Sequence, residues 1–562
     1  MTPTRWSEFV FAAKVWGLRA VRGWQDRRDP MRGHSQGPSL SGPTCESRTA
    51  LWTMEAAEEE SYQLGKVQNL RTAARLLDGV VIPPGQVLSF WKQVGRPSSS
   101  AGFVPGRMLR QGCLLPSVGG GLCQLSNALF QVALEGGCEI VERHAHSRAV
   151  PGSAAAVGRD ATVAWNYIDL RFRAPFDLRL EVKLTGRELI VRLCGGRKSS
   201  LPVVATVPPT AAPNRCFSCG QESCAHHARA AAMRIAKARS AFLVDENWPE
   251  FRKFVQSQRS VSDALFVPLD GSRLGVDRYR WPVSGEVFEA RLATAKRSWR
   301  SRNLAGQGAE RQAALLGGAS ELAASYARQL TPSMTELVVA QSLLPFLWKS
   351  GYLGGRVFRV LITRFPMFEL QRRLDAEFAE HPELHTLQDF RAPSWIGEAE
   401  AAALASASQV VTPHAAIAGM FGQRAELLPW ILPECPTGKR GNCLGFAGPV
   451  VARRGAYEVR DAARELGLPV LWSGSNFEGE DFWKGVDARH VPASELNRAA
   501  VFLAPAIVES RPQSALAAMS AGVPVIATAA TGLVQREGVT IYENNLSLTR
   551  VLSLSHCRVG SK

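Results

Sequence analysis

Acidic residues are the minority charge: 50 Asp and Glu stand against 66 Lys and Arg in 562 residues, a formal net charge of +16. That balance suits an acidic partner such as nucleic acid, an anionic membrane or a nucleotide-linked substrate. What is missing is any Lys/Arg block interleaved with aromatics. The basic residues are mostly scattered arginines, the pattern of a solvated surface, which speaks against nucleic acid. Long apolar runs are also lacking. None approaches the roughly 18 residues that span a bilayer. The opening segment MTPTRWSEFVFAAKVWGLRAVRGWQDRR is broken by Glu8 and Lys14 and has neither the apolar centre nor the small-residue site of a secretory signal. The expected compartment is therefore the cytoplasm, with at most a weak membrane-surface contact through an amphipathic N-terminal helix. No fixed-period repeat is present. Cysteines are few and odd in number, eleven, with three tightly clustered. Free thiols and a metal site fit that usage better than a disulfide framework.

What is there reads as a multidomain globular chain, 46% hydrophobic and 21% charged. A basic segment and Gly/Pro/Ser-rich linker occupy 1–55, with 29–50 (DPMRGHSQGPSLSGPTCESRTA) the linker proper. An α+β domain is expected over 56–200. It holds a helix ending at Gly79, a Pro83-Pro84-Gly85 turn, and a closing hairpin, FDLRLEVKLTGRELIVRLCG, that turns near Gly186. Residues 201–235 combine a Pro-rich linker with a Cys/His segment. In 236–430 and 431–562, apolar strands such as VFRVLIT, QVVTP, CLGFAGPVV, PVLWSG, AVFLAP and VPVIAT alternate with helical stretches, predicting two parallel α/β layers.

The first chemistry-bearing stretch is SVGGGLCQLSNALFQVALEGGCEIVERHAHS, residues 117–147. Leu122, Leu125, Leu129, Val132 and Ala133 share one helical face, and Gly136-Gly137 ends the helix. Cys123 thus sits in the first turn, where the helix dipole and unpaired N–H groups favour thiolate and could receive an oxyanion. Gly119, Gly120 and Gly121 allow a sharp bend and a close approach by another group. Gln124 could add a side-chain amide. Strand alternation would put Cys138, Ile140, Glu142, His144 and His146 on one face, so either histidine could serve Cys123 as general base. Asp160 is the candidate third member, with Asp169 as alternate. A packing role for Cys123 and a structural role for the histidines stand beside that reading.

NLRTAARLLDGVVIPPGQVLSFW, VPGRMLRQGCLLPSVGGGLCQLSNALF, EIVERHAHSRAVPG and GRDATVAWNYIDLRF resemble the VanW family over about residues 60–195. The resemblance implies a cell-envelope or antibiotic-resistance setting, without a known activity. The order of helix-start Cys, strand His and Asp is also similar, in arrangement alone, to papain-like and transglutaminase-like enzymes.

In NRCFSCGQESCAHHARA, Cys216, Cys219, Cys224 and His226 or His227 offer three thiolates and an imidazole within eleven residues. That set suits tetrahedral zinc as a structural clip, with an iron–sulfur cluster as the competing occupant.

The segments LGFAGPVVARRGAYEVRDAARELGLPVLWSG and VPASELNRAAVFLAPAIVESRPQSALAAMSAGVPVIATAATGL read as strand–helix–strand units. Helix N-termini after such strands suit a diphosphate, which Arg453 or Arg454 could neutralise, while Glu509 could bond sugar hydroxyls. The stretch from about 240 to 545 resembles group-1, GT-B-type glycosyltransferases, a double Rossmann-type architecture. Glu509 stands at the first Glu of that family's E-x7-E motif, followed by Ala518, Met519, Gly522, Pro524 and Val525. Ala517 replaces the second Glu, and Gly448-Pro449 replaces the family's Gly-Arg. The resemblance implies a nucleotide-sugar donor held by Glu509, Arg454, Gly448 and Gly522, and transfer to an unknown acceptor. No D-x-D pair lies in a suitable loop, so metal-independent transfer is expected. A thiol-dependent acyl transferase or hydrolase in the first domain is the second reading, and a non-catalytic envelope-associated binding protein the third.

Overall fold

A computed structural model describes residues 5–28, 33–38, 40, 42–52, 60–110, 113–146, 160–195, 214–215, 224, 239–304, 308–543 and 547–554. The chain divides into two compact units. One comprises residues 1–240, 330–336 and 350–357; the other comprises 241–329, 337–349 and 358–562. No described helix is long and apolar enough to cross a membrane.

The first unit wraps one apolar core. A four-stranded antiparallel sheet has the order β1 (Pro43–Ala50), β9 (Glu188–Cys194), β8 (Leu178–Leu184), β2 (Val81–Ile82). A second, of order β3 (Val87–Ser89), β7 (Arg171–Arg173), β6 (Glu139–Glu142), and a third, β10 (Asn214–Arg215), β5 (Cys113–Val118), β4 (Pro105–Arg110), complete it. Helices α2 (Glu60–Leu77) and α3 (Cys123–Glu135) bury Leu70, Leu77, Leu125, Leu129 and Val132 in the same cluster as Phe90, Phe172 and Leu193. The expected hairpin is β8–β9, and α3 ends at Gly136 as its glycines predict. One stretch departs from the expectation. Residues 43–50, read as linker, form β1, because the small residues Cys45 and Ser47 alternate inward between Glu46 and Arg48. A buried face of small side chains gives little hydrophobic periodicity to read.

Helix α1 (Arg5–Arg28) lies against this unit through polar contacts. Arg22 pairs with Glu142, Asp26 pairs with Arg171 and Lys92, and the Arg19 guanidinium donates to the Trp165 carbonyl. Its other face leaves Trp6, Phe9, Val10, Trp16, Val21 and Trp24 exposed.

The second unit holds two parallel sheets. One runs β13 (Val287–Glu289), β12 (Ala264–Val267), β11 (Arg239–Leu243), β14 (Met334–Ala340), β15 (Val357–Leu361), β16 (Gln409–Thr412), β17 (Ala425–Leu427). The other runs β20 (Ala488–His490), β19 (Val470–Ser473), β18 (Leu444–Ala447), β21 (Val501–Ala504), β22 (Val525–Thr528), β23 (Val539–Tyr542), with every neighbouring pair parallel. In both, strand order climbs one way from the first strand and then reverses, the doubly wound pattern. The reversal falls between β11 and β14 in the first sheet and between β18 and β21 in the second. Strands buried on both faces, such as β12 and β18, are continuously apolar.

Candidate functional site

In the first unit, α3 brings Cys123 to the segment 160–163. Ser126 donates to the Ala161 carbonyl at 2.5 Å, the Asn127 side-chain oxygen accepts from Ala161 N at 2.8 Å, and Thr162 N donates to His144 O at 2.7 Å. These bonds hold Asp160 beside His146. The Asp160 carboxylate accepts from His146 Nδ1 at 2.6 Å and from the His146 main-chain N at 2.5 Å. His146 stands close enough to Cys123 to act on its thiol, and Cys123 Sγ lies 3.5 Å from Thr162 Oγ1.

Burial raises the thiol, but the His146 hydrogen bond and charge outweigh it and bring Cys123 below the ordinary cysteine value. Burial likewise opposes the charged imidazole. Bonding to Asp160 and Cys123 prevails and pushes His146 up to about 10. Asp160, penalised by burial, is nevertheless lowered through His146. The three groups therefore favour a thiolate–imidazolium–carboxylate array.

Of the residues singled out from sequence, Cys123, His146 and Asp160 come together, and His144 and Gln124 do not. The alternation expected across 138–146 stops early. A register shift sits between Ile140 and Glu142, β6 ends there, and residues 143–146 are irregular. His144 turns to Glu142 at 3.2 Å and is about half exposed (47%). Gln124 spends its amide on Thr49 Oγ1 and Ala50 O, both at 2.8 Å, so it pins β1 to α3 and does not face the thiol. Asp169 binds Ser89, Arg171 and the Trp91 N–H, away from Cys123.

The glycines serve backbone packing. A side chain at Gly120 would collide with the Gly106 main chain, and one at Gly121 (φ +96°) with the Lys66 stem. Lys66 is buried there, and burial together with the Arg107 charge lowers its ammonium to about 7. Ser126, Asn127 and Thr162 were not singled out from sequence. A Ser-Asn pair one helical turn after the cysteine is the signal that could have found the first two.

Residues 65–194 match the protein family described as VanW like protein. They form a VanW-like domain. The chain is 34% identical over 143 residues to vancomycin B-type resistance protein VanW of Enterococcus faecalis, covering 25% of this chain and 52% of that protein. It spans about half the length of the curated relatives it matches. All three members of the Cys123 array lie inside the VanW-like domain.

Beyond the VanW-like domain, Cys216, Cys219 and His226 lie outside the described residues, as does His227, while Cys224 is buried with a free thiol. Among the described residues, no group of three or more His, Cys, Asp or Glu side chains is placed to hold a metal ion.

In the second unit, Arg454 follows β18 and Glu509 follows β21, so both stand at the carboxyl ends of the two strands that flank the order reversal. They pair with each other and line one small pocket with Ala504, Ala506, Ser514 and Ala515. Glu509 also accepts from the N–H groups of Ser510 and Arg511 at 2.9 and 3.0 Å. Burial, with the neighbouring Arg453 charge, lowers Arg454 to about 10. Its Nη2 donates to the Gly448 carbonyl at 3.3 Å, which ties the Gly448 loop to the pocket. Gly522 lies apart from this pair. It turns the chain (φ +76°) after helix α7 (Gln513–Ser520), at the opposite end of that helix from Glu509.

His414 was also not singled out. It caps helix α6 (Ala415–Phe421), accepting at Nδ1 from Ile417 N, while Nε2 lies 3.2 Å from the Glu509 carbonyl and 3.1 Å from that of Ala530. Burial drives its pKa down to about 4, which leaves the neutral ring that these contacts require.

Solved structures similar to this chain include sucrose-phosphate synthase from Thermosynechococcus elongatus, at 13% identity and TM-score 0.36 over 57% of this chain and 90% of that one. Anabaena Alr3699/HepE, solved with UDP and glucose, is 13% identical with TM-score 0.32 over 56% and 89%. The doubly wound assignment rests on this chain's own strand order.

Proposed function

We propose that the second unit moves a sugar from a nucleotide-sugar donor to an acceptor. The observation that carries this reading is the placement of Arg454 and Glu509 at the reversal between β18 and β21, where open parallel sheets bind ligands. Without ligand the two side chains satisfy each other. A donor diphosphate would take over the Arg454 guanidinium, offering two oxygens to its fork of N–H groups. Glu509, released, would accept hydrogen bonds from sugar hydroxyls while Ser510 and Arg511 N–H groups hold its carboxylate in place. As the acceptor hydroxyl oxygen bonds to the sugar carbon and gives its proton to solvent, the sugar–phosphate oxygen bond breaks, and the guanidinium stabilises the charge that grows on the departing nucleoside diphosphate. Ala517 leaves the ribose without the acid expected there, so the reading places more of the donor's binding on Arg454.

The test is calorimetric titration of the full chain with UDP, GDP, ADP and their glucose conjugates. Saturable binding of one nucleotide series, lost in Arg454→Ala, supports donor binding. Absence of binding across all of them removes the reading.

A second reading, for the VanW-like domain, is favoured by the Cys123–His146–Asp160 array. The Cys123 thiolate would attack an acyl carbonyl, forming a sulfur–carbon bond. As the bond to the leaving amine or alkoxide breaks, His146 gives that group its proton. Water or an acceptor amine then attacks the thioester, returning its proton to His146 and releasing Cys123. Intact-mass measurement after exposure to p-nitrophenyl acetate tests this. A single acetyl adduct on Cys123, absent in His146→Ala, supports it, and unmodified protein contradicts it.

A further inference from the structure

The order reversal of the seven-stranded sheet, between β11 and β14, has its own polar lining. Asp245 follows β11 and Ser342 follows β14, and they bond at 2.8 Å. Asp245 also receives Arg297 Nη1 at 2.6 Å, so helix α4 (Arg291–Asn303) is tied to this edge. Beside that tie lies a pocket of about 140 Å3. Its polar lining includes Arg278, Arg297, Arg300, Arg302 and Arg311, and among the described residues no acidic one lines it. Arg278, Arg297 and Arg300 pair with Glu246, Asp245 and Glu321, three carboxylates outside the lining.

Several features make this more than a crowded basic surface. Gly318, on helix α5 (Ala309–Ala327), leaves room for the Arg297 stem, which a side chain there would meet at 3.0 Å. Arg297 is only 11% exposed, and its buried Nε–H has no acceptor among the described residues. Arg302 has no ionic partner among them either, while Arg311 bonds the Leu304 carbonyl at 3.5 Å. The carboxylates behind Arg278, Arg297 and Arg300 offset three of these charges, and the lining stays basic, with the Arg302 guanidinium and the Arg297 Nε–H open to an anion.

We propose that this pocket binds a phosphate ester. Its phosphoryl oxygens would meet Arg297, Arg302 and Arg311, and its carbon skeleton would rest on Leu304 and Leu315. Guanidinium forks match phosphate bidentately, which a bare ammonium does not. Size narrows the class. The volume is close to that of a cavity of ~150 Å3 that accepts benzene, so a phosphate with a few carbons fits within it. The pocket shares no residue with the Arg454–Glu509 pocket, and the proposal stands whether or not that site binds a donor.

The experiment is equilibrium dialysis of the full chain with radiolabelled inorganic phosphate and glycerol 3-phosphate, with sulfate and UDP as competitors. Saturable binding of glycerol 3-phosphate is expected, weakened about tenfold in Arg302→Gln and in Arg311→Gln, the scale of one lost charge-assisted bond. Arg454→Ala should leave it intact. Melting curves of each variant report folding, and Arg311→Lys serves if Arg311→Gln does not fold. Co-sedimentation with phosphatidic acid vesicles, against phosphatidylcholine, separates a lipid headgroup from a free ester. Binding in either arm that is lost in the Arg302 or Arg311 variants supports the site. Absence of binding in both arms, binding unchanged in those variants, or equal competition by sulfate overturns it.

Discussion

At Cys123 two effects oppose each other. Burial disfavours the thiolate, while His146 supplies a hydrogen bond and a positive charge that favour it, and the second prevails. Removing the imidazole leaves burial alone. In His146→Ala, alkylation of Cys123 at pH 7 should therefore fall by more than about tenfold, and its midpoint should move above the free-thiol value of about 8.5. Rate against pH, followed peptide by peptide by mass spectrometry, checks this; labelling as in the wild type would show that His146 does not control the thiol. Gln124→Ala should leave the alkylation profile unchanged, since its amide serves Thr49 and Ala50. At this scale the sequence was partly legible. A helix-start cysteine with glycines before it could be read directly, and Asp160 could be nominated. Which histidine joins them could not, because the choice depends on where β6 stops. Two-residue alternation has no means of registering the shift at Ile140/Glu142.

Elements owe their placement to main-chain contacts that leave a weaker trace in sequence. Gly120 touches the Gly106 backbone, so Gly120→Ala should push β4 from the α3 entry and cost about 1–3 kcal/mol. Urea unfolding measures it, and an unchanged midpoint would mean that the contact is slack. The run of three glycines was visible; its partner, the bare Gly106 on another strand, was not. His414 makes a comparable link among α6, Glu509 and Ala530. Its pKa of about 4 in the folded protein lies below the ordinary histidine value, so the unfolded chain takes up the proton first. This contribution to stability is present above about pH 6.5 and falls as pH drops from there toward 4, by up to about 1.4 kcal/mol per unit. Urea midpoints across that range should decline less steeply in His414→Gln than in the wild type. A single histidine in an apolar run carries no mark of such a link until the chain is folded.

Across the whole molecule, the two-layer character of the second unit was legible because buried parallel strands are apolar throughout, as in ALFV and VFLA. The short edge strands β13, β17 and β20 were not, being three residues each and only partly buried. Strand order was also beyond sequence, and it is strand order that brings Arg454, seven residues into one connection, to Glu509 in another. The proposed donor site depends on that meeting. Its most direct test is calorimetric titration of nucleotide diphosphates into the wild-type chain and Arg454→Ala. Saturable binding of at least one nucleotide to the wild type is expected, weakened about tenfold or more in Arg454→Ala by the loss of its charge-assisted bonds. Equal binding by both proteins, or none by the wild type, would contradict it.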